Sequence, residues 1–504
     1  MPSLSDALHN DRVAWSRLQG CERIPSDPYS QGFLNSLFDR LPQQKTPLQW
    51  ERVLSAWEEA IQQPGGCSND LILVSIRDGT IAAVACQNAS KGTLTHFREF
   101  KFLLSAAMQL VDDGDRVDAA FVLDLTDRAD LRWAADERLP RFASTSGACA
   151  ASLPVPIMLK GYSSNIFQEK LRSLSLGGGA GWRWPSIGWK QKVRRVVWRG
   201  AARTYSSCLD LTRRRVAPPD SPCHWRETCS AYCYHRPRET GRASTTLLAM
   251  GASAGCPLNG VPHSRLQAVA MRRAESSRQK DAEAVQLDAR LTPCVEKGKE
   301  AECSATALRS RGLRVNDQPL AFTALVEYIG VLELDGYGWQ ASLLSKLTLG
   351  SVVVAQESLF PLWYDDLLKD GVHLLRTRTD LGDLSVRLQW LRHHGGEAQK
   401  IARAGQQRAC ALLHVPHLAR FLRRLLSKYA ALFEGPYPST LHLRVRRRRL
   451  GLSGAVADPR LQAPEWLWLH KASRRESTRA LCDPWWRGLR KCNSTAGRWP
   501  MDER

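Results

Sequence analysis

The chain has 504 residues, 43% of them hydrophobic, enough for two or three domains with a sizeable core. Its 71 basic and 50 acidic residues leave a net charge of +21, a balance that ordinarily points to nucleic acid or an anionic surface. Two stretches hold most of that excess: residues 201–318 (19 basic against 12 acidic) and 437–504 (15 against 6). The remainder has the charge of an ordinary enzyme. Seven of the 14 cysteines also fall in 201–318, a distribution unlike the regular spacing of a small disulfide scaffold. No apolar run reaches the roughly 18–20 residues that a membrane-spanning helix needs. The opening MPSLSDALHNDRVAW lacks the apolar segment of a secretory signal.

In chain order, residues 1–46 are polar. Pro47 to Gln62 has helical apolar spacing. Leu71 to Ile76 and Thr80 to Ala85 read as strands joined by an Asp78-Gly79 hairpin turn. Thr95 to Val111 reads as a helix with Phe97, Phe100, Leu103, Leu104 and Met108 on one face, and Asp118 to Leu125 as a buried strand ending in Thr126-Asp127-Arg128. This alternation predicts an α/β domain with a mostly parallel sheet. Residues 139–190 are less regular. Val193 to Trp198 reads as a strand running into Arg199-Gly200. From Tyr205 to Asp317 periodicity is weak, and the stretch is expected to be an irregular insertion or sequence foreign to the fold. Pattern returns from Leu320 to about Phe433: a strand into an Asp335-Gly336 turn, a helix, a strand at Ser351 to Ala355, then helices around 384–391, 397–413 and 417–433. The tail from Tyr437 carries RVRRRR and five tryptophans and is expected to be disordered.

Several positions carry chemistry. Asp127 follows the carboxyl end of a strand, where open α/β sheets bind ligands, and a carboxylate there can deprotonate an attacking hydroxyl. Alone, such an aspartate is more often a turn or N-cap residue. Arg199 and Arg203 flank the end of another strand, and guanidinium groups suit phosphate oxygens. Gly336 and Gly338 permit a tight turn and close backbone approach, and the helix after Trp339 offers free N–H groups to an anion. His373 and Asp380 belong to the next strand and loop. Cys223, Cys229 and Cys233 with His224 and His235 match no common zinc spacing. Asn88 and Asn493 head glycosylation triplets.

Taken together, these motifs resemble glycosyltransferase family 90, the capsule-associated-protein type that includes protein O-glucosyltransferases. The family's base-bearing strand is matched by Asp118, Phe121, Val122 and Asp127, with Asp124 where the family has Asn. Its Trp-Arg-Gly signature is matched by Trp198, Arg199 and Gly200. Asp335, Gly336, Gly350 and Ser351 match its Asp-Gly segment. His373, Asp380, Leu381, Asp383 and Leu384 match the next, and Ala398, Ile401, Ala402 and Gly405 its closing helix. Ser342 stands where the family has an arginine.

The resemblance implies a GT-B-like fold of two Rossmann-like domains facing a cleft, interrupted by the irregular insertion and tail. An acceptor-side domain would cover 47–190. A donor domain would be built from 191–204 and 319–436. It also implies a UDP-sugar donor, a protein or glycan acceptor, inversion, no cofactor or metal, and a secretory-lumen location. Asp127 would be the base. Arg199, Gly200, Arg203, Asp335, Gly336, Trp339, Ser351, His373 and Asp380 would line the donor site. Glucose or xylose is the expected sugar. The alternative is a catalytically degenerate member that only binds, lectin-like or as an interaction module.

Overall fold

The computed structural model describes residues 14–16, 26–39, 41, 46–62, 71–85, parts of 97–108, 117–125, 139–143, 152–156, 184–201, 285–293, 304–310, 314–316, 320–335, 340, 342–358, 362–378, 381–442 and 470–471. The first half contains β1 (Ala14–Ser16), α1 (Gln31–Phe38), α2 (Trp50–Gln62), β2 (Leu71–Arg77), β3 (Thr80–Ala85), β4 (Ala119–Asp124), β5 (Arg141–Ala143) and β6 (Ser152–Pro154). Then come β7 (Trp184–Ser186), β8 (Val193–Ala201), β9 (Gln286–Thr292), α3 (Ala305–Ser310), β10 (Tyr328–Glu333), α4 (Leu343–Leu347) and β11 (Val352–Gln356). The last are β12 (Leu375–Thr377), α5 (Leu384–His393), α6 (Gly395–Leu413), α7 (Val415–Ala430) and β13 (His470–Lys471). The protein is an α/β chain in two compact units. One is built from 1–28, 145–149 and 159–414, the other from 29–144, 150–158 and 415–504.

The second of these units holds the sheet β13-β3-β2-β4-β5-β6. Asp78 and Gly79 both take positive φ, 47° and 68°, as a two-residue hairpin turn requires. That turn sets β2 and β3 antiparallel, and β4 joins β2 antiparallel as well. Parallel pairing is therefore confined to β4-β5-β6, so the sheet is mixed where the alternation suggested a mostly parallel one. Described positions between 97 and 108 are helical, and Phe97, Phe100, Leu103 and Leu104 are buried. The sheet's aromatic core is completed from far along the chain. Tyr29 stacks on Phe421 of α7 at 4.7 Å between ring centroids, and Phe142 meets Tyr429 at 5.0 Å. Trp50 stacks on Phe433 at 3.9 Å. α7 thus packs here rather than in the donor half where the sequence placed it. Tyr437 and His442, both buried, close on Ser75 of β2. The Ser75 hydroxyl is 2.6 Å from Tyr437 Oη and 2.6 Å from His442 Nδ1. The tail expected to begin at 437 is therefore ordered through 442.

The other unit holds β12-β11-β10-β8-β9, and every neighbour pair is parallel. Renumbered from β8 onward, the strand order is 2-1-3-4-5, the doubly wound order in which the direction of winding reverses between β8 and β10. Strands buried on both faces need continuous apolar runs, which β10 (YIGVLE) and β11 (VVVAQ) supply. Gly330 lets β10 approach β8, since a Cβ there would meet Val196 Cγ2 at 2.8 Å. Strand β9 lies inside the stretch expected to be irregular. It pairs with β8 from Arg195↔Gln286 to Ala201↔Thr292 and buries Leu287, Ala289 and Leu291 in the core that also holds Val196 and Trp198.

Candidate active site

In a doubly wound sheet, ligands bind outside the carboxyl ends of the strands where the winding reverses. The residues there are Arg199 and Gly200 from β8, Glu333 at the end of β10, and Leu334 and Asp335 just after it. Gly200 is required by its own signature: a Cβ would lie 2.5 Å from Cζ2 of Trp198, whose indole is buried in the core. Arg199 does not stand open. It donates to the Trp198 carbonyl at 2.8 Å, to the Asp288 carbonyl, and through Nη2 to Asp288 Oδ2 at 2.9 Å. Arg290 approaches the same carboxylate, Nε to Oδ1, at 2.9 Å. Burial alone would raise the Asp288 carboxyl, but the hydrogen bonds and charges of Arg199 and Arg290 outweigh it and hold the group below its ordinary value. Asp288 and Arg290 were missed from the sequence.

Beside it, at the end of β10, lies a buried polar knot. Glu333 accepts from Lys346 of α4, which also donates to the Leu332 carbonyl at 3.1 Å. Ser342 Oγ lies 2.8 and 2.7 Å from the two Glu333 oxygens. The serine that replaces the expected arginine therefore faces inward, and Lys346, one helical turn later, supplies the charge that Glu333 needs. Asp335 is buried, and its N–H donates to Gln356 Oε1 at 3.0 Å. Gln340 caps the same arrangement by donating to the Gln356 carbonyl.

Ser351 and His373 are placed differently. Each precedes a parallel strand, β11 and β12, so both sit at the amino edge of the sheet, opposite Arg199 and Asp335. Ser351 donates to the Tyr328 carbonyl at 2.7 Å and accepts from Lys192 Nζ at 3.0 Å. Lys192 also donates to the Val326 carbonyl, and burial pulls its ammonium down to about 7. His373 Nδ1 accepts from the Lys369 N–H at 3.0 Å. Burial, then the charges of Arg408 and Lys369, lower the imidazole to about 4, so it is a neutral acceptor in a turn. Its carbonyl lies 2.2 Å from where a Cβ on Gly405 would stand, which explains the glycine of the closing helix.

In the other unit, the strand expected to lead to the base ends at Asp124, and its carboxylate is 3.3 Å from Arg141 Nη1 on β5. Both side chains are about 1% exposed, so the aspartate that replaces the family's asparagine has a buried counter-charge. Asp127, Arg203, Gly336, Trp339 and Asp380 lie outside the described residues. So do Cys223, Cys229, Cys233, His224, His235, Asn88 and Asn493. Among the described residues, no group of three His, Cys, Asp or Glu could hold a metal, and no helix is long and apolar enough to cross a membrane.

A five-stranded parallel sheet in this order defines the general class of doubly wound α/β domains. More specifically, residues 267–439 match the model of glycosyl transferase family 90. That match runs from before β9 through α7. Protein O-glucosyltransferase 2 of Danio rerio is 33% identical over 113 residues, covering 22% of this chain and 23% of that protein. Protein O-glucosyltransferase 3 of Mus musculus is 39% identical over 85 residues, 17% of each. Uncharacterized protein 027R of Frog virus 3 is 35% identical over 102 residues, 19% of this chain and 10% of that protein. The chain thus spans less than a quarter of the length of each.

Proposed function

We propose that the protein is a glycosyltransferase that moves a sugar, glucose or xylose, from a UDP-sugar to a hydroxyl of a protein or glycan acceptor, with inversion. The observation that carries this reading is that the family 90 match takes in β9 to β12, four of the five strands of the doubly wound sheet, with Asp288 and Asp335 at the carboxyl edge where such sheets bind ligands. In this proposal Asp127 takes the acceptor proton as the oxygen attacks the anomeric carbon. The leaving diphosphate is stabilised by guanidinium groups at the carboxyl edge of the parallel sheet, in a GT-B arrangement that uses no metal. A secretory-lumen setting is supported by Cys410, which is disulfide-bonded, since disulfides persist in oxidising compartments.

A screen of UDP-sugars for donor hydrolysis and transfer tests the reading. Asp127→Asn should lower kcat by about 10²–10⁴ while leaving UDP affinity unchanged. Transfer that survives the substitution intact would show that Asp127 is not the base. A second reading is favoured by the inward-facing Ser342 and the extensively bonded Arg199: a domain that binds the donor but does not transfer. Tight UDP binding with no turnover on any donor would select it.

A further inference from the structure

Asp288 lies between two guanidinium groups that are used very differently. Arg199 commits both terminal nitrogens, to two carbonyls and to the carboxylate, and its side chain is only 10% exposed. Arg290 gives Asp288 its Nε alone, and its side chain is 35% exposed. Neither terminal nitrogen of Arg290 has a partner among the described residues. The register pairs Arg199 directly with Arg290, so the two side chains share one face of the sheet, opposite the face of Trp198, Ala289 and Leu291. Arg199 is therefore an anchor. It fixes the carboxylate, the carboxylate fixes the inner edge of the Arg290 guanidinium, and the outer fork is left open. A fork held by Nε with two free terminal N–H groups is the arrangement that takes two phosphate oxygens at once. Two guanidinium charges against one carboxylate also leave the cluster with a net positive charge.

We infer that Arg290 is a donor-site residue that binds the phosphate oxygens of a nucleoside diphosphate, oriented by Asp288 and, through it, by Arg199. This rests on the transferase reading above. It reassigns the phosphate contact expected of Arg199 to its cross-strand neighbour. Arg290 is a binding residue, and Asp288 is a positioning residue.

The test is calorimetric titration of the full chain and its Arg290→Ala, Arg290→Gln and Arg290→Lys variants with UDP, UMP and uridine, alongside thermal melts. Asp288 keeps Arg199 in every variant, so melting temperatures should stay close to the wild type. One lost charge-assisted contact should weaken UDP about ten- to a hundredfold in the alanine and glutamine variants. Lysine should restore part of the loss, and uridine affinity should not change. Unchanged UDP affinity in the alanine and glutamine variants overturns the assignment alone. An equal loss for UDP and uridine also overturns it, by showing a general disturbance. A folded wild type that takes up none of the three overturns the assignment and the transferase reading together.

Discussion

The two edges of the parallel sheet solve the problem of buried charge in opposite ways. At the carboxyl edge, charges come in opposed sets: Arg199 and Arg290 with Asp288, and Lys346 with Glu333. At the amino edge, charge is suppressed. Lys192 is bonded to a carbonyl and a hydroxyl, with its ammonium pulled down to about 7, and His373 is held neutral. Opposed charges can exchange partners when an anion arrives, and neutralised groups cannot. Under the proposed function the first edge meets the donor, while the second holds strands together.

The largest effect expected from this contrast concerns pH. The folded value of Lys192 lies below its ordinary 10.5, so protonation opposes folding. The penalty is full below about 7 and fades as pH rises toward 10.5. Relative to Lys192→Met, the wild type should gain up to roughly 5 kcal/mol of unfolding free energy across that window. A pH-independent difference in denaturant titrations would break the comparison at its amino edge. At the carboxyl edge, Lys346→Met should cost about 3–5 kcal/mol, because it leaves Glu333 buried without its counter-charge. The double variant with Glu333→Gln should recover a large part of that, and equal losses in single and double variants would count against an opposed pair. Gly405→Ala comes next, at about 1–3 kcal/mol, since the new methyl group collides with the His373 carbonyl. A melt no lower than wild type would show that the helix moves freely there. The smallest effect belongs to His373. Its value is depressed from 6.5 to about 4, so its contribution is complete above 6.5 and is lost as pH falls toward 4. His373→Asn should flatten that acid limb.

Much of this was legible in the sequence where one residue type forces one geometry. Asp78-Gly79 specified its hairpin because only a positive-φ pair closes two strands in two residues. The apolar runs of β10 and β11 specified a doubly covered sheet. Strand β9 escaped because Asp288 and Arg290 interrupt its apolar pattern, and their compensation by Arg199 spans 89 residues of sequence. The alternation of Val285, Leu287, Ala289 and Leu291 was the available signal. Ser351 and His373 were grouped with ligand-binding positions on motif order. Their position just before a parallel strand already assigned them to the far edge. The pairing of Asp124 with Arg141 joins neighbouring strands and had no local signature.

The aromatic closure of the mixed sheet by α7, and the seating of Tyr437 and His442 on Ser75, have a consequence for biosynthesis. The strands up to Ala143 leave the ribosome about 300 residues before His442 does, a wait of about 15–60 s at ordinary elongation rates. During that interval Tyr29, Phe121 and Phe142 lack the helix that covers them. The nascent chain must therefore carry an uncovered apolar face until its last third is made. Truncation at 436 would remove two of the three groups that lock it, whereas a chain ending after 442 would keep them.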